Sequence, residues 1–189
     1  MKTLILIRKC KNSATVYLCR MTKIGVLSDT HGYIDKPLLN FLSDCDEIWH
    51  AGDIGDIAIM DILGEGRIFR GVYGNIDGWD VRRELPEFQE FTVGNVSVLM
   101  THIGLYSGRY MGEVVTRLNT FKPGIFVCGH SHILKIGFDK DRKMLHINPG
   151  SAGIQGIHNV RTAVRFEING DKAENLDVLE LPKSHGSKS

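Results

Sequence analysis

The chain repeats one local pattern: a short apolar run, typical of a buried strand, ends in a small residue followed by Asp, His or Asn. Ile24–Leu27 precedes Asp29 in this way, and Arg67–Tyr73 precedes Asn75. The segments between such runs are predicted helices, and alternating strands and helices favour parallel pairing with right-handed crossovers. Ligands bind at the carboxyl edge of such a sheet, where strand ends splay apart. The pattern therefore predicts an α/β fold whose polar residues meet at one edge.

The second half of the sequence predicts antiparallel pairing. Gly94-Asn95 separates two apolar segments, as in a tight hairpin. We expect three hairpins, Phe88–Val93 with Val96–Met100, Ile133–Phe138 with Met144–Ile147, and Val160–Ile168 with Ala173–Leu181. Helices are predicted at Pro37–Leu42, Ile54–Leu63 and Tyr110–Phe121. A mixed α/β domain with two sheets and outer helices accounts for this order.

The length of 189 residues predicts a single domain. Met21 opens a more natural first strand than Met1, so we interpret residues 1–20 as an N-terminal extension and expect residues 21–182 to form the domain. The polar residues 183–189 are predicted to be a flexible tail. The apolar run near Met1 is too short, and too interrupted by basic residues, for a signal peptide.

Net charge, hydropathy and cysteine usage indicate which partners and which cellular compartment to expect. The formal net charge is +1, so no broad basic field favours nucleic acid as a partner. Apolar stretches fall short of the ~20 residues that span a bilayer, and no membrane partner is predicted. The four cysteines lack a C-x-x-C pair, which is typical of a reducing compartment and predicts a cytoplasmic protein. Assembly into a homo-oligomer stays open.

Seven potential metal ligands stand at the predicted strand ends, often beside a glycine. They are Asp29, His31, Asp53, Asn75, His102, His130 and His132. Three side-chain oxygens and four imidazoles could bind two divalent cations if one carboxylate bridges them. Such ligands suit Mn²⁺, which we prefer here, or Zn²⁺, Fe²⁺, Ni²⁺ or Co²⁺, rather than Ca²⁺. Paired cations of this kind drive phosphoester hydrolysis.

The order D-x-H, GD, GN-x-D, H, GHSH resembles the calcineurin-like metallophosphoesterase superfamily. Asn148-Pro149-Gly150-Ser151 after the last ligand is similar to its small bacterial and archaeal phosphodiesterase branch. The resemblance covers about residues 22–182 and implies a four-layered αββα sandwich with two mixed β-sheets flanked by helices. It also implies a binuclear-metal-dependent phosphodiesterase that cleaves a small phosphodiester by attack of a metal-bound hydroxide. One metal would be held by Asp29, His31, Asp53 and His132, the other by Asp53 as the bridge, Asn75, His102 and His130.

Two positions depart from the pattern of this family. The wider superfamily has GNH, and that His is assigned to stabilising the transition state or protonating the leaving group. Here the position is Ile76, which can do neither. The following Asp77 is either a support behind the ligands or a simple turn cap. In addition, Ile103 separates His102 from the glycine that usually follows it.

Two other classes of function remain open. The retromer scaffold subunit shares this fold and also carries an apolar residue in the GN-x-D slot, so a protein-binding scaffold is one alternative. Scaffold forms have lost ligands, whereas this chain keeps all seven. A phosphomonoesterase or nucleotide pyrophosphatase with the same metals is the other alternative. The absent His and the short chain without a capping domain argue against it.

Several other polar and aromatic residues have simpler interpretations. His50 is predicted to be a satisfied core or interface histidine, and Trp49 and Trp79 are expected to serve in packing rather than in substrate stacking. Arg161 alternates with Arg165 on a strand, which predicts a solvated face. The segment 148–151 is expected to orient the His132 loop through turn hydrogen bonds. His146 and His158 are interpreted as structural or exposed, with His158 the nearer of the two to the predicted site.

Overall fold

A computed structural model describes residues 21–183, which form twelve strands and four helices. The strands are β1 (Thr22–Leu27), β2 (Glu47–His50), β3 (Ile68–Gly71), β4 (Phe88–Val93), β5 (Val96–Thr101), β6 (Leu105–Tyr106), β7 (Arg109–Tyr110), β8 (Ile125–Val127), β9 (Leu134–Asp139), β10 (Met144–Pro149), β11 (Val160–Asn169) and β12 (Lys172–Pro182). The helices are α1 (Lys36–Leu42), α2 (Ala58–Gly64), α3 (Trp79–Glu84) and α4 (Gly112–Phe121).

Two five-stranded sheets share the same plan. The first has the order β12-β11-β1-β2-β3, and the second has the order β4-β5-β8-β10-β9. In the first sheet β1, β2 and β3 are parallel, β11 pairs antiparallel with β1, and β12 pairs antiparallel with β11. In the second sheet β5, β8 and β10 are parallel, with β4 and β9 antiparallel at the edges. Each sheet therefore brings three parallel carboxyl ends to one edge.

The sheets pack face to face and are covered by helices on their outer faces. The core between them contains Ile24 and Trp49 from the first sheet and Val98 and Ile147 from the second. A second cluster joins the outer face of the first sheet to α1, α2 and α3, and a third joins the second sheet to α4. Burial of apolar area on three interfaces is the main stabilising term. The four-layered αββα sandwich with two mixed sheets is confirmed.

Several element boundaries differ from those predicted. Helix α2 begins at Ala58 rather than at Ile54, because the Ile54 carbonyl accepts hydrogen bonds from Gly32 N at 2.7 Å and Thr30 Oγ1 at 3.0 Å. Tyr110 was predicted to start a helix but lies in the short hairpin β6–β7, and α4 begins at Gly112. The turn of this hairpin uses left-handed φ angles at Ser107 and Gly108.

Two of the simpler interpretations are wrong. Arg161 is 4% exposed rather than solvated, and its guanidinium forms a 2.6 Å ion pair with Asp35. Trp79 is 73% exposed on α3, with the guanidinium of Arg83 stacked on its ring. The predicted packing role of Trp49 is confirmed, because it is fully buried.

The expected N-terminal extension, residues 1–20, and most of the expected tail, residues 184–189, lie outside the described residues. Within residues 21–183, no helix has the length and apolar character needed to cross a membrane.

Buried His146 gives the fold a predictable acid response. Its Nε2 lies 3.3 Å from the Cys128 sulfur, and burial lowers the pKa of His146 to about 4. Between pH 6.5 and 4 the unfolded chain therefore binds more protons at this site, and the free energy of unfolding falls as pH falls. We expect His146→Phe to reduce the slope of unfolding free energy against pH in this window, measured by urea denaturation. Above pH 7.5 the slopes should coincide, and an unchanged slope below 6.5 would contradict the assignment.

Candidate metal centre

Most of the predicted ligands occupy a backbone conformation that L-residues seldom adopt. The φ angle is 56° at Asp29, 49° at His31, 55° at Asp53, 68° at His130 and 57° at His132. Asp and His tolerate this left-handed region better than most residues, yet such positions cost of order 1–3 kcal/mol each and cluster at functional sites. All five lie in loops that follow the carboxyl ends of β1, β2 and β8.

The first ligand group brings together the loop after β1, which carries Asp29 and His31, and the loop after β8, which carries His132. The Nε2 atom of His132 lies 3.2 Å from Asp29 Oδ1 and 3.4 Å from His31 Nε2. One ligand atom from each of these three residues falls within 4.8 Å of the others. This spacing allows one cation to contact all three.

The second ligand group lies beside the first. His102 Nε2 is 3.2 Å from Asp53 Oδ1 and 3.1 Å from Asn75 Oδ1, and the His130 ring packs edge-on against the His102 ring. The other oxygen of Asp53, Oδ2, lies 3.9 Å from His31 Nε2 in the first group. The two oxygens of one carboxylate thus face different groups, which is the arrangement that a bridging ligand requires.

Buried polar atoms around the centre fit a cation. Asp29 Oδ1 is buried and has no hydrogen-bond donor in the described part of the chain. A carboxylate oxygen left in that condition is destabilising unless a cation satisfies it. His102 Nδ1 lies 2.7 Å from the Ala51 carbonyl, which can only accept, so in the neutral ring Nδ1 carries the proton and Nε2 has the free lone pair. The donor set of carboxylate, amide and imidazole fits divalent transition metals.

The charges within the centre couple Asp53 to His102. Burial works to lower the pKa of His102, but the Asp53 hydrogen bond and the charges of Asp29 and Asp53 outweigh it and raise the pKa above its ordinary value. Burial works to raise the pKa of Asp53, but His102 outweighs it and the pKa is lowered. Burial and the His102 charge lower the pKa of His130. The polypeptide therefore favours a proton between Asp53 and His102 that a cation would displace, so metal affinity should fall in acid.

Glycines allow the loops to approach one another at two points. A Cβ at Gly74 would overlap the Asp53 carboxylate, so the chain before Asn75 comes closer to that ligand than any side chain allows. At Gly52, φ is +89° and a Cβ would lie 2.7 Å from the His102 ring. Both positions therefore require glycine, because a larger residue would overlap a neighbouring predicted ligand.

Asp77 connects two of the ligand loops. Its carboxylate is 4% exposed and accepts the N–H of Gly55 at 2.8 Å and the N–H of Gly74 at 2.7 Å. Gly55 follows Asp53 by two residues, and Gly74 directly precedes Asn75. Asp77 is therefore more than a cap of its own turn, because it fixes one ligand loop against the other.

Arg82 on α3 also holds the Asn75 loop and was not found from the sequence. Its guanidinium donates to the carbonyls of Asp77 at 2.6 Å, Gly74 at 2.9 Å and Asn75 at 3.2 Å, and it stacks 4.4 Å above the Tyr73 ring. One sequence signal could have predicted α3 and with it Arg82. Asp80 stands in the first turn of this short helix and Arg82 and Arg83 in its last, which is the charge order that a helix dipole favours.

The segment 148–151 contacts the loop that carries His130 and His132, as predicted, and it also contacts the Asp29 loop. The Asn148 amide donates to Gly129 O at 2.8 Å and Ser131 Oγ at 3.1 Å, on either side of His130. Ser151 Oγ donates to Asp29 O at 3.1 Å. His50 lies in the core, as predicted, and its Nε2 is 2.9 Å from the Oγ1 of Thr30, the residue between Asp29 and His31. The expectation of a satisfied histidine holds for this nitrogen alone, because His50 Nδ1 is buried and has no hydrogen-bond partner among the described residues.

A cleft of about 300 Å³ opens beside the second ligand group. Two predicted ligands, Asn75 and His102, form part of its walls. The other lining residues include an aromatic, a cationic, an anionic and an apolar side chain, and they are Tyr73, Gly74, Arg82, Glu87, Thr101 and Ile103. The Ile76 backbone N–H donates to Asp53 Oδ1 at 3.1 Å, and its side chain is 47% exposed at the centre.

Residues 22–171 match the family model of the calcineurin-like phosphoesterase superfamily domain. The chain belongs to this family. A protein of Methanocaldococcus jannaschii described as a probable metallophosphoesterase is 30% identical over 136 residues, which are 68% of this chain and 67% of that protein. Family membership implies a metal-dependent phosphoester hydrolase, and the two ligand groups are candidate sites for its divalent metals.

Solved structures share the fold at lower sequence identity. Wild-type Vps29 of Entamoeba histolytica, complexed with Zn²⁺, has a TM-score of 0.67 and 18% identity, covering 86% of this chain and 100% of that one. An archaeal phosphodiesterase has a TM-score of 0.63 and 20% identity, covering 84% of this chain and 100% of that one. These similarities support the sandwich architecture.

The role of Asp77 can be tested by removing one acceptor oxygen. In Asp77→Asn the amide can accept from only one of Gly55 and Gly74, and the other buried N–H loses its partner. We expect the free energy of unfolding to fall by ~1–3 kcal/mol in urea denaturation. Asp80→Asn, an exposed change on the first turn of α3, is the matched control and should cost less than ~1 kcal/mol. Equal losses in the two variants would show that Asp77 does not hold the loops.

Proposed function

We propose that this metallophosphoesterase hydrolyses small phosphodiesters with two divalent cations, Mn²⁺ foremost, in the cytoplasm. One observation carries the proposal: the seven ligands form two adjacent groups, and the two oxygens of Asp53 face one group each. The assignment of the seven residues as ligands, with Asp53 as the bridge, is part of the proposal. When bound, such cations lower the pKa of a water nucleophile and neutralise charge on the phosphate oxygens.

The chain itself holds the ligands ready for this chemistry. The Ala51 carbonyl keeps a proton on His102 Nδ1, so the neutral ring would offer the lone pair of Nε2 to a cation. The His130 backbone N–H donates to Asp29 Oδ2 at 3.1 Å, which fixes that carboxylate with Oδ1 toward His132. Rigid placement of this kind lowers the cost of organising charge during the reaction.

The walls of the cleft favour a diester over a monoester. Arg82 is the cationic residue among them, and its guanidinium is engaged with three backbone carbonyls, while Glu87 contributes a negative charge. A dianionic monoester gains little from such walls, whereas a monoanionic diester can place its second ester group in the cleft beside Asn75 and His102.

A protein-binding scaffold on the same fold is the second candidate function, and the likeness to Vps29 keeps it open. Retention of all seven ligands favours the enzyme. Five strained ligand positions and a buried carboxylate oxygen without a donor are costs that a pure scaffold has no reason to carry.

The dependence of turnover on the leaving group tests the proposed reaction. Ile76 offers no proton, so the departing oxygen must carry its own charge. With Mn²⁺, kcat for aryl diesters should fall steeply as the phenol pKa rises, and monoesters should react more slowly. Ile76→His should recover up to 10²–10⁴-fold, and more for poor leaving groups than for good ones, if its imidazole reaches the ester oxygen.

Two controls make this experiment decisive. Asp53→Asn should lose activity toward every ester, which places the chemistry at this centre. If the wild type shows a flat dependence on phenol pKa, another group supplies the proton and the role given to Ile76 is wrong. If diesters are not cleaved while monoesters are, the proposed substrate class is wrong.

A further inference from the structure

His158 contacts a metal ligand without being one itself. Its Nδ1 lies 3.2 Å from His132 Nδ1, and its Nε2 lies 3.1 Å from the Gly153 carbonyl oxygen. The two rings meet edge to face, with centroids 5.1 Å apart. His132 Nε2 points the other way, toward Asp29 and His31. Both ring nitrogens of His158 are thus engaged, so this residue is not free to protonate a leaving group.

The direction of each hydrogen bond follows from the first one. A carbonyl oxygen only accepts, so His158 Nε2 must carry a proton and donate it to Gly153. The facing Nδ1 atoms form a hydrogen bond only if one donates and the other accepts. If His132 is to bind a cation through Nε2, its proton must sit on Nδ1, and His158 Nδ1 must then accept. A backbone carbonyl thereby sets the tautomer of His132 through one intervening imidazole.

The hydrogen bonds that run from the Gly153 carbonyl through His158 to His132 are called the relay below. The Gly153 carbonyl at its start lies on a loop that is itself held against the centre. Gly153 N donates to the Asp29 carbonyl at 3.1 Å, and Ala152 N donates to the Ser28 carbonyl at 2.9 Å. The relay therefore begins on a loop tied to one ligand of the first group and ends on another ligand of the same group.

The loop that carries Gly153 also passes close to the side of the His132 ring, at Gly156. Gly156 has φ of +103°, and a Cβ there would lie 2.5 Å from His132 Nδ1 and 3.2 Å from His158 Nδ1. Only glycine allows the chain to pass so close to this pair. The second group differs, because His102 is fixed directly by the Ala51 carbonyl. His132 instead contacts a side chain, His158, which in turn contacts the Gly153 carbonyl.

We propose that His158 is a positioning residue that fixes the tautomer and orientation of His132 and so sets the cation affinity of the Asp29, His31 and His132 group. This inference rests on the proposed metal-dependent function. Partners that orient a metal-bound imidazole in this way typically change metal affinity by 10–100-fold when they are replaced.

Asn and Leu at position 158 separate the hydrogen bond from packing. The two side chains have nearly the same shape, but Asn places an oxygen near the position of His158 Nδ1, where it can accept from His132. We expect His158→Leu to weaken one of two Mn²⁺ sites by about 10–100-fold in calorimetric titration. His158→Asn should stay within about threefold of wild type. Ile157→Ser, a change at the fully exposed neighbour, is the matched control and should leave both sites unchanged.

Nitrogen NMR of the metal-free protein gives a readout that is independent of activity. Wild type and His158→Asn should show His132 protonated at Nδ1, and His158→Leu should show a mixture of tautomers. Unchanged affinity and tautomer in His158→Leu would overturn the proposal, as would equal losses of affinity in the Leu and Asn variants. If wild type bound no Mn²⁺, the proposed function would fail, while the tautomer measurement would still decide whether His158 controls His132.

Discussion

Two buried carboxylates, Asp29 and Asp53, stand among four imidazoles at the meeting edge of two sheets, and the surrounding structure is organised around keeping them there. Desolvated anions are costly unless they are paired, and Asp29 Oδ1 has no donor among the described residues. Left-handed backbone at five ligands and close glycine contacts add further strain. Cations bound at the proposed centre would offset these costs, because binding free energy adds to the stability of the folded state.

The supporting contacts form a second layer around the ligands. Asp77 and Arg82 hold the Asn75 loop, Asn148 holds the loop of His130, and His158 holds His132. Each acts through hydrogen bonds whose direction is set by backbone groups. The ligands are thereby oriented before any substrate arrives. Removal of one support is expected to loosen one ligand and leave the fold intact.

The sequence predicted much of this arrangement because ligand type and strand order are local signals. Each ligand follows an apolar run, so topology alone carries the seven to one edge. Helix α3 was missed because its six residues are mostly exposed and lack a clear apolar period, and Arg82 was missed with it. Arg161 was wrongly placed at the surface because its partner, Asp35, is 126 residues away. The engagement of His158 with His132 likewise depends on loop geometry that residue order does not show.

The number of cations that the protein binds tests the central claim most directly. Metal-free protein equilibrated with Mn²⁺ at pH 7.5, dialysed and measured by elemental analysis should hold two equivalents per chain. Asp53→Asn should reduce retention of both, because that carboxylate is the proposed shared ligand. One equivalent or none in the wild type, or loss of a single cation in Asp53→Asn with the other held at full affinity, would contradict a carboxylate-bridged binuclear centre.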